Sequence, residues 1–213
     1  MNLTLASIFK AVLQISLLAL TAGTAIAQDV VTLKVHHFLP PSSTAHAKFI
    51  VPWCDKIAKE SNNRMKCQIY PAMQLGGTPA QLFDQAKDGV ADIIWTVPGY
   101  QAGRFTVSEA FELPFIVTST EKGSRALWHY ATKNAMQEFK GVKPILFHLH
   151  DGNLLHTARK QIKSLEDFRG AKVRAATRQS TKMLTALGAT PVPMPLPQTP
   201  ERSEEHTSEL QSH

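Results

Sequence analysis

Short β-rich segments alternate along this chain with longer segments of helical periodicity, and the connections between them are short. Strands are predicted at 30–38, 65–70, 91–97, 144–150, 172–175 and 190–193, and residues 154–158 are expected to be extended. Helices are predicted at 43–61, 79–87, 119–139 and 179–187, with a helical turn at 165–168. This alternation predicts an α/β fold with mainly parallel sheets.

The composition of two predicted elements indicates how they are buried. The segment 91–97 reads as a strand buried on both faces. The helix at 119–139 is expected to turn Ala126, Leu127, Tyr130 and Ala131 inward.

Residues 1–27 have the pattern of a signal peptide. Lys10 precedes an uncharged run that ends in Ala25-Ile26-Ala27, the small-x-small pattern of a cleavage site. The apolar part is roughly a dozen residues, whereas a membrane-spanning helix needs about 20. We therefore expect export, cleavage after Ala27, a periplasmic protein that starts at Gln28, and no membrane span in the mature chain.

The last residues, 202–213 (RSEEHTSELQSH), follow a proline-rich stretch abruptly and show no apolar period. This string resembles one reading frame of a widely used DNA-sequencing adapter. We expect it to be a non-native tail and the natural sequence to diverge after about Glu201.

The charge balance indicates the class of ligand. The whole chain carries a formal net charge of +6 at pH 7, which is a moderate basic excess. It contains no Lys/Arg run and no RNA-binding aromatic motif, and export also disfavours nucleic acid as a partner. A small organic anion fits the charge better.

Cys54 and Cys67 are the only cysteines. Cys54 lies about two turns before the end of a predicted helix and Cys67 about three residues into the next strand, which puts both at a similar height. Outside the cytoplasm such a pair is readily oxidised. A disulfide and two buried thiols both remain open, and the C-x-x-C spacing of a redox pair is absent.

Ligands of parallel α/β sheets bind beyond the carboxyl ends of the strands, which here lead into the loops 38–42, 71–78, 96–104 and 174–178. Arg174 is the leading candidate, because a guanidinium at a strand end can grip a carboxylate through two parallel hydrogen bonds. A surface position is the alternative reading for such an arginine. The remaining candidates are two helper arginines, three aromatic residues that either wall an apolar pocket or pack in the core, and one loop donor: Arg159, Arg178, Phe38, Trp95, Tyr100 and Gln74.

Histidines form two tempting pairs, His36-His37 and His148-x-His150. Adjacent strand residues point to opposite faces, so His36 and His37 do not suit one ion, whereas His148 and His150 share a face. No metal-binding, nucleophile or phosphate-binding motif accompanies them. We expect no metal, no cofactor and no catalytic residue; an exported hydrolase or lyase with His148 or His150 as the base is the disfavoured alternative.

Five segments together carry a resemblance to a known family: 70–77 (YPAMQLGG), 85–92 (QAKDGVAD), 112–115 (ELPF), 164–174 (SLEDFRGAKVR) and 187–194 (LGATPVPM). The chain resembles the periplasmic solute-binding subunits of TRAP transporters, the tripartite ATP-independent systems. The resemblance implies a two-domain clamshell of the type II-like periplasmic binding proteins, with the ligand between the domains and Arg174 on its carboxylate. It also implies a membrane permease driven by an ion gradient as the partner; the binding subunit of an ATP-driven importer is the alternative.

The resemblance also implies a domain division. Residues 28–153 are expected to form the first α/β domain and 154–201 to begin the second. Family members return to the first domain and complete the second beyond this point, so both domains are expected to be incomplete in 28–201.

Overall fold

The computed structural model describes residues 29–157 and 161–199. The predicted signal peptide with its cleavage site, Arg159 and the segment 202–213 lie outside the described residues.

A three-stranded parallel sheet is built from β1 (Val31–His37), β2 (Met65–Tyr70) and β3 (Ile93–Trp95), in the order β2-β1-β3. The strand predictions at 30–38 and 65–70 are confirmed. β3 is shorter than the predicted 91–97, because its ladder pairs with β1 only up to the partners His37 and Trp95, where β1 ends. All β3 residues are half-buried, and Ile93 and Ile94 pack against different clusters, so both faces of β3 are covered, although not completely.

Two helical segments pack beside this sheet. A π-helical turn at His46–Ile50 leads into α1 (Val51–Glu60), and a 3-10 turn at Pro79–Gln81 leads into α2 (Leu82–Lys87). The Ser43 hydroxyl accepts a hydrogen bond from the His46 amide, as a cap of the first segment would. Both predicted helices are confirmed, although each begins with a turn that is not α-helical.

The Cys54 and Cys67 side chains form a disulfide between α1 and β2, with their Cα atoms 5.6 Å apart. Of the two readings left open by the sequence, the structure therefore has the bonded one. The bridge joins the helix to the edge strand of the sheet, and Ile50 and Val35 pack in the same cluster.

The longest helix, α3 (Thr120–Asn134), begins at Ser119, whose hydroxyl accepts from the Lys122 amide. A 3-10 turn at Met136–Phe139 follows it, and further 3-10 turns lie at Pro98–Tyr100 and Ser108–Glu112. An aromatic core joins α2 to α3 and is formed by Phe83, Phe105, Leu127, Ala131, Ala135 and Phe139. Ala126 is exposed rather than inward, because it lies about 100° around the helix from Leu127.

A second, two-stranded parallel sheet consists of β4 (Lys172–Ala175) and β5 (Thr190–Pro193). α4 (Arg178–Ala186) connects the strands, and 3-10 turns occur at Leu165–Phe168 and Leu196–Gln198. Val173 and Leu184 pack in its core. The predicted strands at 172–175 and 190–193, the helix at 179–187 and the helical turn at 165–168 are confirmed. Every described strand pair is parallel, as the α/β prediction requires.

The predicted strand at 144–150 is wrong. Residues 143–157 form neither strand nor helix, and none of the described strands pairs with them, so no ladder exists to define a strand there. The Leu149 amide instead donates to the Ser124 hydroxyl on α3, at 2.9 Å. Across the described parts of the chain, no helix is long and apolar enough to cross a bilayer.

Candidate ligand-binding site

Three aromatic side chains meet at the carboxyl end of the first sheet. Phe38 follows β1, Trp95 ends β3, and Tyr100 lies in the 3-10 turn after it. The Phe38 ring centroid is 5.5 Å from that of Trp95 and 5.3 Å from that of Tyr100. Phe38 is 3% exposed, whereas Trp95 and Tyr100 are half-buried. Phe38 therefore backs the other two rings, which keep partly open faces; we call these three residues the aromatic trio.

Arg174, near the end of β4, is only 4% exposed, so the surface reading of this residue does not hold. Its Nε donates to the backbone oxygen of Met194 at 3.0 Å. Two residues later, the Leu196 amide donates to the Tyr100 hydroxyl at 3.3 Å. The segment after β5 thus contacts both Arg174 and the aromatic trio, and brings the two predicted groups to the same region.

Arg178, at the start of α4, is engaged by a carboxylate of the protein itself. Its Nε lies 3.2 Å from Glu109 Oε2, its Nη2 contacts the same oxygen, and Gln179 Nε2 donates to that oxygen at 3.0 Å. Glu109 is 3% exposed. The predicted helper role of Arg178 thus competes with an internal ion pair. Sequence reasoning missed Glu109, although an acidic residue in the apolar stretch 105–116 was a signal for it.

A second carboxyl, that of Glu112, also lies beside the start of α4. Burial raises its pKa, while a hydrogen bond to Thr177 acts in the opposite direction and nearby Glu109 adds to the rise. Gly99 packs tightly here, since a Cβ added to it would come within 2.3 Å of Glu112 Oε1 and 2.6 Å of Thr177 Cγ2. The turn that carries Tyr100 is therefore in direct contact with the first residues of α4.

His148 lies against the aromatic trio. The Trp95 indole Nε1 donates to His148 Nε2 at 2.9 Å, and the two rings lie edge to edge with centroids 5.6 Å apart and an angle of 22° between their planes. His148 is exposed as a whole residue, but desolvation of its ring lowers its pKa, which favours the neutral ring. Because Nε2 accepts, the proton of that neutral ring is on Nδ1. Nε2 is the nitrogen that a neutral His148 would use as a catalytic base, and it already accepts the hydrogen of Trp95.

The other histidine pair is buried in the sheet. His36 Nδ1 lies 2.7 Å from Gln85 Oε1, and His37 Nε2 lies 3.0 Å from His46 Nδ1, so the two neighbours reach different partners as predicted. Burial lowers the pKa of both rings, that of His37 to about 4. Within residues 29–157 and 161–199, no group of three or more His, Cys, Asp or Glu side chains is arranged to hold a metal.

Gln74 is exposed in the loop after β2, at the edge of this region. The loop is held to the end of β1, because the Ala72 and Met73 amides donate to the backbone oxygens of Leu39 and His37. A depression of about 200 Å³ lies elsewhere, at the start of α3, and is lined by residues such as Phe111, Val117 and Lys122. None of the predicted binding residues lines it.

Known proteins share the sequence pattern and the fold of this chain. The family model described as "Bacterial extracellular solute-binding protein, family 7" (DctP) matches residues 35–199. A TRAP solute-binding protein from Rhodoferax ferrireducens T118, solved with copurified benzoate, is 51% identical with a TM-score of 0.83; the match covers 84% of this chain and 56% of that one.

Two further structures are similar. A marine metagenome TRAP solute-binding protein, solved with 3-hydroxybenzoate, is 47% identical with a TM-score of 0.82, over 85% of this chain and 57% of that one. A TRAP periplasmic solute-binding protein from Bordetella bronchiseptica, with bound mandelate, is 28% identical with a TM-score of 0.76, over 84% of this chain and 57% of that one. The chain spans about half the length of the curated relatives it matches. From the family match over most of its described length, the chain belongs to the bacterial extracellular solute-binding proteins of family 7.

Proposed function

We propose that this chain is part of a periplasmic receptor that captures a small aromatic carboxylic acid and delivers it to a TRAP permease driven by an ion gradient. The observation that carries the proposal is the connection between buried Arg174 and the aromatic trio through residues 194–196. One group supplies a cation and the other supplies ring surface, and an aromatic acid needs both.

The cation must come from arginine rather than lysine for physical reasons. A carboxylate that leaves water loses several kcal/mol of hydration unless a paired charge replaces it. A guanidinium stays charged at any relevant pH and matches both carboxylate oxygens. Half-buried Trp95 and Tyr100 supply faces on which a ligand ring can stack.

The relatives support the aromatic part of the proposal. Those at 51% and 47% identity were solved with benzoate and 3-hydroxybenzoate, and the one at 28% with mandelate. All three ligands join a carboxylate to a benzene ring. We propose Gln74 as a donor at the rim of the site. The structure gives Arg178 another partner, Glu109, so we do not assign it to the ligand.

The remaining parts of the proposal concern the cell. We propose that the signal peptide is cleaved after Ala27, that the receptor acts without catalysis, and that residues 28–153 and 154–201 belong to two different lobes of a clamshell. The genes beside this one test the partner: genes for a small and a large integral membrane subunit would support a TRAP permease. An adjacent ATPase gene would contradict it and indicate an ATP-driven importer.

Calorimetry on the full-length gene product tests the ligand assignment, with benzoate, 3-hydroxybenzoate and benzamide as ligands. Both acids should bind, and benzamide, which lacks the charge, should not. Arg174→Ala should weaken acid binding by about 3–5 kcal/mol, the range for removing one partner of a buried pair, which is at least a hundredfold in Kd. Arg174→Lys should recover part of this loss.

Arg169→Ala is the matched control, because Arg169 is exposed just before β4 and belongs to the same basic segment. Its acid binding should equal that of the wild type. If Arg174→Ala binds the acids with wild-type affinity, Arg174 does not bind the carboxylate. If benzamide binds more tightly than benzoate, the proposal of an anionic ligand is wrong.

A further inference from the structure

His148 makes contacts that a role in core packing alone does not require. It accepts the indole hydrogen of Trp95, and because that hydrogen lies in the indole plane, the imidazole lies at the edge of the indole, with an angle of 22° between the two ring planes. Phe38 contacts the same indole, with ring centroids 5.5 Å apart. The Trp95 side chain is therefore held by a hydrogen bond at its polar atom and by the Phe38 ring.

The segment that carries His148 is itself anchored, although it is not part of a sheet. Its next residue, Leu149, donates its amide to Ser124 on α3 at 2.9 Å. Its preceding residue, Phe147, packs against Phe139 with ring centroids 5.0 Å apart. His148 thus has a fixed neighbour on each side, and its ring is positioned by α3 rather than by a strand ladder.

The indole hydrogen bond also requires a neutral imidazole. A protonated ring has hydrogen on both nitrogens and cannot accept from Trp95. His148 is exposed as a whole residue, but desolvation of its ring keeps its pKa below the usual range, with only a smaller opposing effect from the Leu149 backbone. His148 therefore supplies the acceptor under ordinary conditions.

We propose that His148 is a positioning residue for ligand specificity: it sets the plane of the Trp95 indole, so that a planar aromatic acid stacks there and a puckered ring of the same size does not. This inference rests on the proposed function, since it assumes that an acid binds beside the aromatic trio. It adds a residue that does not itself touch the ligand. An aromatic stack of good geometry contributes about 3- to 10-fold in affinity beyond burial of the same area.

The test compares benzoate with cyclohexanecarboxylate, which has the same charge and a similar size but a puckered ring. Wild-type full-length protein should prefer benzoate by about 3- to 10-fold from the stack. His148→Phe keeps a ring against the indole but removes the acceptor, so benzoate affinity should fall until the two acids bind equally. Cyclohexanecarboxylate affinity should not change. His148→Gln keeps an acceptor and should retain part of the preference.

A spectroscopic measurement separates this role from simple packing. The indole N–H signal of Trp95, assigned by its loss in Trp95→Phe, should move upfield and exchange faster with water in His148→Phe than in His148→Gln. His150→Phe is the control, because the His150 ring contacts the backbone oxygen of Asp151 instead of Trp95, and the variant should leave both the signal and the preference unchanged.

The outcomes distinguish the role of His148 from the proposed function. If the wild type binds benzoate and His148→Phe keeps both the preference and the indole signal, the role of His148 is overturned and the proposed function stands. If the wild type binds neither acid, the proposed function fails, and the specificity role fails with it.

Discussion

His37 makes a large and measurable contribution to the pH dependence of stability. Its ring is fully buried, its Nδ1 accepts from the Leu39 amide at 3.1 Å, and its Nε2 lies 3.0 Å from His46 Nδ1. Because the Leu39 amide can only donate, the proton of the neutral ring is on Nε2 and points to His46. The pKa of His37 is lowered to about 4, chiefly by burial and in addition by the neighbouring His46 and His36.

The magnitude follows from the difference between the folded and unfolded states. The unfolded chain takes up a proton at His37 near pH 6.5, whereas the folded chain does so only near pH 4. Stability is therefore fully present above pH 6.5 and is lost as the pH falls through this window. At about 1.4 kcal/mol for each pH unit, the loss due to His37 is about 3 kcal/mol.

His37→Asn removes the titrating group but places an oxygen near the position of Nδ1, so the Leu39 amide keeps an acceptor. At pH 8 the variant should be less stable than the wild type by about 1–2 kcal/mol, from the lost His46 contact and the small cavity. Toward pH 4 this difference should shrink and reverse, changing in total by about 3 kcal/mol. Urea unfolding at pH 8 to 4, followed by tryptophan fluorescence, measures it. If the stabilities of the variant and the wild type change equally with pH, the role of His37 is refuted. His129→Asn, on the exposed face of α3, is the control.

Other perturbations test the remaining packing features by urea unfolding. Replacing both Cys54 and Cys67 by serine opens a link across a sequence separation of 13 residues and should cost about 2–3 kcal/mol, and a variant as stable as the oxidised wild type contradicts the link. Gly99→Ala should cost about 1–3 kcal/mol, because its new methyl group overlaps Thr177 and Glu112, whereas Gly103→Ala, which meets no atom within 4 Å, tests the cost of a positive φ alone. Glu109→Gln should cost about 1–3 kcal/mol, because Arg178, which is itself partly exposed, loses the charge of a buried partner; no loss indicates that the pair is not formed in solution.

Most strands and helices could be predicted because local patterns and tertiary packing agree there. The boundaries of β2 and β4 match the predictions, and Gly188 ends α4 with a φ of +84°, the conformation that glycine adopts most readily. The segment 144–150 is the exception. It has the apolar, β-rich composition of a strand, but a strand exists only through pairing with another segment. A local pattern carries no information about whether that partner is in place.

The candidate site was predictable in part for the same reason. Arg174 and the aromatic trio could be selected because strand ends of parallel sheets collect ligand-binding residues. The contacts of Glu109 and His148 could not be predicted, because each depends on a residue that is distant in sequence. Arg178 is 69 positions from Glu109, and Trp95 is 53 positions from His148. Neither residue lies at a strand end, and only the tertiary structure brings each to its partner.

The placement of Arg174 relative to the aromatic trio depends on the contacts between the two sheets as much as on either sheet itself. Arg174 belongs to β4, and Tyr100 belongs to the turn after β3, in a different sheet. Three contacts join the two: the Leu196 amide on the Tyr100 hydroxyl, the close approach of Gly99 to Thr177, and the ion pair of Glu109 with Arg178. Because Thr177 and Arg178 begin the helix that follows β4, the last two contacts hold the end of that strand against the 3-10 turns at Pro98–Tyr100 and Ser108–Glu112. A charged group and an aromatic surface from separate sheets are thus kept in one region by contacts that need not touch the ligand.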